Sequence, residues 1–266
     1  MRGVNGMPFG AEIALTPRLN PLEKVYIRLF GAPILGLRVR ARTILPFLER
    51  IGEPRRIADA GSGRGMITLA CARRFPSAEV IGVDLDDRQN CDNNEIAARL
   101  KLSKNLNFLT SDAMNLKDLG KFDLIISTDM LEHLEDDLGG VRMFYNALES
   151  GGYLLVHVPH LTRKTFGWKR ENWMDVEGHL RPGYSKDGLI DLLTKGGLKV
   201  RDCIFNYNSF ETLANDISKV ITGAKQANKS LYAIAFPFLM LIVLLGSLYR
   251  PRHDGSGLVA LARKED

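Results

Sequence analysis

Short apolar runs alternate with longer amphipathic stretches from Arg56 to Gly197. The runs Arg56 to Ala60, Glu79 to Asp84, Leu106 to Thr110, Phe122 to Ser127 and Tyr153 to Val158 are rich in Val, Ile, Leu and Phe and predict β-strands. Helical periodicity marks about Gly63 to Phe75, Arg88 to Leu100, Asp137 to Glu149 and Lys186 to Lys195. Strand and helix in strict alternation predict an α/β fold, a parallel sheet covered on both faces. Leu198 to Tyr207 and Gly257 to Ala262 read as two further strands. Upstream, Leu22 to Phe30 and Ile34 to Ile51 predict two helices, broken at Gly31-Ala32-Pro33. Residues up to Leu19 are Gly- and Pro-punctuated and predict loose order.

Two stretches depart from this rhythm. Between the last two strands lie a helix-like segment, Phe210 to Ile221, and an uncharged apolar run, Leu231 to Tyr249. That run reaches the length of roughly 20 residues that spans a bilayer. The final strand must return to the sheet, so both ends of the run belong on one side. Lys225 and Lys229 before it and Arg250 and Arg252 after it fit two cytoplasmic flanks. Pro237 predicts a break in the helix. The expectation is a monotopic or re-entrant element in one leaflet, with a core helix or a dimer interface as alternatives. The second stretch, Arg163 to Trp173, interleaves positive charge with aromatic rings and is expected to meet an anionic head group or a lipid interface, or to form a solvated lid.

Composition adds little that is selective. The chain has 266 residues, 45% hydrophobic and 25% charged, as in ordinary globular domains. A net charge of +5 allows an anionic partner without requiring one. Cys71, Cys91 and Cys203 lie far apart with no zinc spacing, so reduced thiols in the cytosol are expected. The N-terminus lacks an apolar core behind a basic start, and no secretory signal is read there.

The candidate chemistry centres on Asp59-Ala60-Gly61-Ser62-Gly63-Arg64-Gly65, between a strand and a helix. Glycines there let a ligand approach the backbone, and the helix that follows contributes its dipole. In a dinucleotide fingerprint the third glycine would come one residue later. Asp59 repels a pyrophosphate but accepts from a cationic amine. Asp84, ending the next strand, can accept from ribose hydroxyls. An amine, a carboxylate, a ribose and an adenine together describe S-adenosylmethionine (SAM). From Ile57 to Phe205 the chain resembles the class I SAM-dependent methyltransferases. The segment Asp129-Met130-Leu131-Glu132-His133-Leu134 is similar to that of their small-molecule members, such as the enzymes of quinone biosynthesis.

The resemblance implies a Rossmann-like, doubly wound, mostly parallel seven-stranded sheet whose last two strands pair antiparallel. It implies an N-terminal helical cap (1–54), a SAM-binding core (55–207), a hydrophobic insertion (208–250) and a last core strand with the C-terminus (251–266). Asp59, Gly61, Ser62, Gly63, Asp84, Leu85, Asp112, Ala113 and Thr128 are the expected cofactor contacts. His133, His179 and His160 are the candidate bases, His179 within a His-x-Arg segment. No metal is expected. The expected acceptor is an amphipathic or lipid-linked small molecule at the cytoplasmic face of the membrane. A nucleic-acid methyltransferase and a catalytically silent SAM-binding module are the rivals. Ser127-Thr128-Asp129-Met130, where base-amine enzymes carry an Asn/Asp-Pro-Pro-Tyr/Phe segment, counts against the first.

Overall fold

The computed structural model describes residues 8–165, 169–171, 178–222, 229–246, 248 and 253–265. The chain opens with helix α1 (Pro21–Phe30) and helix α2 (Leu35–Ile44). Asn20 and Glu23 close a reciprocal capping box on α1, with Pro21 in its first turn, where no backbone donor is needed. Pro46 stops α2 short of Ile51 and turns the chain into a 3-10 helix, Leu45–Arg50. The expectation of loose order before Leu19 is corrected for residues 8–19; residues 1–7 lie outside the described residues. Ala11–Leu15 forms a 3-10 helix, and Phe9, Ile13 and Ala14 are buried against Met66 and Ile27. Four apolar side chains within a few residues were enough to bind this segment to the domain despite its glycines.

The alternating region then gives β1 (Arg56–Ala60), α3 (Met66–Arg74), β2 (Glu79–Asp84), α4 (Asp87–Arg99), β3 (Leu106–Thr110), β4 (Phe122–Thr128), α5 (Asp137–Ala147) and β5 (Leu148–Pro159). Two short strands, β6 (Arg163–Thr165) and β7 (Lys169–Glu171), pair antiparallel, so part of the expected 163–173 loop is a ribbon. Its side chains lie outside the described residues, and so does its expected role in membrane contact. The remaining elements are α6 (Lys186–Lys195), β8 (Lys199–Asn206), α7 (Ser209–Thr222), α8 (Lys229–Gly246) and β9 (Gly257–Arg263).

Seven strands form one sheet in the order β3-β2-β1-β4-β5-β9-β8. β9 runs antiparallel to both β5 and β8; the other pairings are parallel. Both faces are covered. One core gathers Ile125, Phe144, Leu154 and Leu189; the other gathers Ile57, Phe75, Ile96 and Leu124. Strand order reverses between β1 and β4, which places a crevice at the carboxyl ends of those strands.

Helix α8 runs without interruption through Pro237, where a break was expected. Proline lacks an N–H, so the carbonyl of Ala233, four residues earlier, loses its helical donor. The Tyr26 hydroxyl of α1 donates to that carbonyl instead, at 2.7 Å. The buried face of α8, with Phe236, Leu239 and Val243, packs on Leu35 and Val39 of α2 and Ala214 of α7. Near its C-terminus the Gly246 carbonyl accepts from Asn208 beside the start of α7, so α7 and α8 form a helical hairpin. The opposite stripe, Leu231, Ile234, Phe238, Leu241 and Leu245, is exposed. Leu22, Val25 and Leu29 of α1 are exposed as well, on the helix whose Tyr26 bonds α8.

The Tyr26–Ala233 bond is testable by a double-mutant cycle in urea unfolding. Tyr26→Phe is expected to cost about 1 kcal/mol in the native background. With Pro237→Ala, which restores a helical donor to Ala233, the same change is expected to cost measurably less.

Candidate functional site

The crevice contains a cavity of about 280 Å³ lined by β1, the glycine loop, α2 and the end of β4. Asp59 is buried in its wall and accepts a hydrogen bond from the Thr68 hydroxyl of α3 at 2.6 Å. Burial pushes its carboxyl up to about 6.

The glycine loop is held from several directions. Gly61 and Ser62 donate their N–H groups to the Val83 carbonyl at 2.9 and 3.0 Å. Gly63 donates to the Asp84 carboxylate at 2.8 Å, and its carbonyl accepts from Asn93 of α4. The expected approach of these N–H groups to a ligand is therefore corrected: they are spent on fixing the loop. The loop instead offers space and hydroxyls. Gly61 and Gly63 both have positive φ, and a Cβ on Gly63 would meet nothing within 4 Å. Ser62 Oγ and Thr128 Oγ1 are buried without a hydrogen-bond partner among the described residues, and both residues line the cavity. Helix α3 begins at the cavity with no side-chain cap on its first N–H groups. Gly65 serves packing, since a Cβ there would come within 2.6 Å of the Phe108 ring.

Asp84 sits at the end of β2 with Asp86 N–H on its second oxygen at 3.0 Å, and Leu85 beside it is 73% exposed. Asp112 is exposed and caps the short helix after β3 by accepting from Met114 N–H at 2.9 Å, while Ala113 is buried behind it. Asp59, Gly61, Ser62, Gly63 and Thr128 thus share the cavity wall. Asp84, Leu85, Asp112 and Ala113 follow the neighbouring strand ends.

Sequence reasoning placed Asp129 just after a strand end and missed the groups that hold it opposite the loop. Asp129 takes a left-handed backbone conformation, φ 53°, directly after β4. One carboxylate oxygen pairs with Arg40 of α2 at 2.8 Å, and the other meets His157 Nδ1 of β5 at 2.5 Å. The two neighbours hold Asp129 well below the usual carboxylate range, although burial opposes them. Arg40 also reaches the Tyr207 hydroxyl, which donates to the Gly36 carbonyl at 2.8 Å. The spacing Arg38, Arg40, Arg42 was the available signal. Residues two apart point to different sides of a helix. Arg38 sits over Phe236 and Arg42 pairs with Glu211 of α7, while Arg40 alone turns into the cavity.

Beyond Asp129 lie two of the three expected histidines. His133 donates from Nδ1 to the Gly178 carbonyl at 2.8 Å, and its ring meets His179 edge-on at 4.8 Å between centroids. The segment carrying His179 is fastened to this loop by Leu180 N–H to the Glu132 carbonyl and by Arg181 to Asp137. Glu132 is 1% exposed, and burial, followed by the Asp129 charge, raises its carboxyl to about 8. His160 stands apart from this pair. It bridges to Tyr184 and packs edge-on against Phe205, with Nδ1 on the Thr162 carbonyl.

Comparison with known proteins places this geometry. The family described as a methyltransferase domain matches residues 36–202. The chain is 30% identical over 124 residues to a trans-aconitate 2-methyltransferase of Streptomyces avermitilis, covering 45% of this chain and 46% of that protein. It therefore spans under half the length of that relative. It is 29% identical to a ubiquinone biosynthesis O-methyltransferase of Bartonella quintana over 211 residues, 72% of this chain and 76% of that one. Among solved structures, an O-methyltransferase of a Brevibacillus brevis polyketide multienzyme, in complex with S-adenosyl-L-homocysteine, shares the fold with a TM-score of 0.57 and 18% identity. The match covers 99% of this chain and 82% of that one.

The buried Asp59 carboxyl gives the ligand-free protein a defined pH response. Its proton is held more tightly in the folded state, about 6 against an ordinary 3.8. Its contribution to stability is thus fully present below the lower value and is lost as pH rises through the higher one. Unfolding free energies of the native protein minus those of Asp59→Asn are expected to fall between pH 4 and pH 6. A difference that is flat or rises with pH contradicts the assignment.

Proposed function

Because the chain belongs to the class I SAM-dependent methyltransferase family, we propose that it transfers the SAM methyl group to an amphipathic or lipid-linked small molecule at the cytoplasmic membrane surface. The observation that carries methyl transfer is the cavity at the strand-order reversal, which Asp59, the glycine loop and Thr128 line beside the uncapped start of α3. Asp59 would receive the cofactor's amine and Asp84 its ribose hydroxyls, while Leu85, Asp112 and Ala113 would flank its adenine. Bound there, SAM supplies an electrophilic methyl group. The chain's tasks are alignment and, for a hydroxyl acceptor, removal of its proton. The His133–His179 pair is assigned that proton, with His160 as a further acceptor-side contact. The name of the Bartonella relative, an O-methyltransferase, supports an oxygen acceptor.

The membrane reading rests on the exposed apolar stripe of α8 and the exposed apolar residues of α1. Helix α8 has a mean hydropathy of 2.0 and enough length to cross a bilayer, with 22% of it buried. Its hairpin with α7 and the return of β9 to the sheet favour lying in one leaflet. Helix α2 is the link to chemistry: Leu35 and Val39 touch the α7–α8 unit, while Ile34, Leu37 and Arg40 line the cavity. An acceptor in the leaflet would then meet the reactive crevice across a single helix.

Two measurements check these readings. Asp84→Ala is expected to weaken SAM binding by calorimetry at least about tenfold, since hydrogen bonds to a charged acceptor contribute roughly 1.5–3 kcal/mol each. Unchanged affinity rejects the ribose role. The protein is expected to co-sediment with anionic vesicles in the presence of salt, and Ile234→Glu with Leu241→Glu is expected to release it. A native protein that stays in the supernatant, monomeric and without detergent, rejects the membrane reading.

A further inference from the structure

We propose that Glu132, His133 and His179 form a binding site for a first-row divalent transition ion on the acceptor side of the crevice. Each residue offers one ligand atom, and all three atoms lie within 4.8 Å of one another. Neither oxygen of the buried Glu132 carboxyl has a side-chain hydrogen-bond partner among the described residues, and its own backbone N–H stands beside it. A buried carboxyl so thinly partnered is costly to retain. A cation between it and the two imidazoles supplies the missing partner.

The surroundings are built as ligand supports. His133 Nδ1 donates to the Gly178 carbonyl, which fixes the tautomer and leaves the Nε2 lone pair for a ligand. A backbone bond, Leu180 N–H to the Glu132 carbonyl, holds the His179 segment against Glu132. Arg181 anchors the same segment through Asp137, the Glu135 carbonyl and the Leu134 carbonyl. Each ligand is thus supported by a contact outside the triad. Ligand bonds of about 2.0–2.2 Å require the donor atoms to draw together by roughly 1–2 Å. Rotation of the exposed His133 ring and the half-exposed His179 ring supplies that movement.

Two imidazoles and one carboxylate select zinc, cobalt, iron(II) or manganese over magnesium and calcium, which prefer oxygen donors. Three protein ligands leave coordination positions open. The site neighbours Asp129, whose charge His179 helps to stabilise, and Asp129 lines the cavity. With the ion bound the two imidazoles are ligands rather than the base, and an acceptor hydroxyl coordinated there would release its proton to solvent instead. This role rests on the methyltransferase reading; metal binding itself does not.

The test uses the full chain, stripped with a chelator and titrated with Co²⁺ and Zn²⁺ without SAM or acceptor. One equivalent of Co²⁺ is expected to bind, with visible d–d bands of a nitrogen–oxygen site and a raised melting temperature. Glu132→Gln and His179→Ala are expected to weaken Zn²⁺ at least tenfold, while His253→Ala at an exposed site leaves it unchanged. Absence of saturable one-equivalent binding overturns the proposal, as does equal affinity in the folded Glu132→Gln and His133→Ala variants. Methyl transfer by a protein that binds no metal overturns the site and leaves the methyltransferase reading standing. Metal binding without methyl transfer does the reverse.

Discussion

The geometry of the crevice depends on Asp129. Its two oxygens are claimed from two sides, by Arg40 on the N-terminal helices and by His157 in the sheet. Through Arg40 the linkage reaches Tyr207, and Tyr207 returns to the Gly36 carbonyl of α2. One carboxylate therefore joins the cap, the centre of the sheet and the turn after β8. Arg40 and Asp129 each keep about a quarter of their side-chain surface exposed, so removing one partner is expected to cost less than the roughly 3–5 kcal/mol of a fully buried pair. The left-handed backbone at Asp129 is the local cost of aiming its side chain at both partners.

Most of the sheet was legible from the sequence because its strands are buried on both faces. Such strands read as uninterrupted Val, Ile and Leu runs, and the ends of β1 to β4 match the expected runs within a residue. Strand β5 begins earlier than expected, at Leu148, because pairing with β4 resumes across an irregularity in which Gly151 takes a positive φ of 76°. The glycine loop, Asp59 and Asp84 were legible as a group because local order alone puts them at adjacent strand ends. Arg40, His157 and Tyr207 were not. They come together through contacts between residues from 28 to 167 apart, and no local pattern encodes such a meeting. Glu132 was visible inside its motif, but its burial and thinly partnered oxygens are tertiary facts.

The apolar run before the last strand shows the same division. Its composition announced an unusual helix. Only the packed structure separates the face that holds α2 and α7 together from the face left to the surroundings. The proline was read as a break, and wrongly, because a tyrosine from a distant helix takes the place of the donor that proline lacks. A local rule failed where a long-range contact compensated for it.

Strand β9 lies between β5 and β8, so these two earlier strands have no common neighbour until residues 257–263 arrive. During synthesis the whole of α8 leaves the ribosome before that strand does. The growing chain thus presents its most water-averse helix while an edge of the sheet is still open, the condition under which nascent chains aggregate. An early landing of α8 on a lipid surface would shelter the helix through this interval. On the membrane reading proposed above, the order of elements along the chain would make the bilayer a participant in maturation, before any substrate is met.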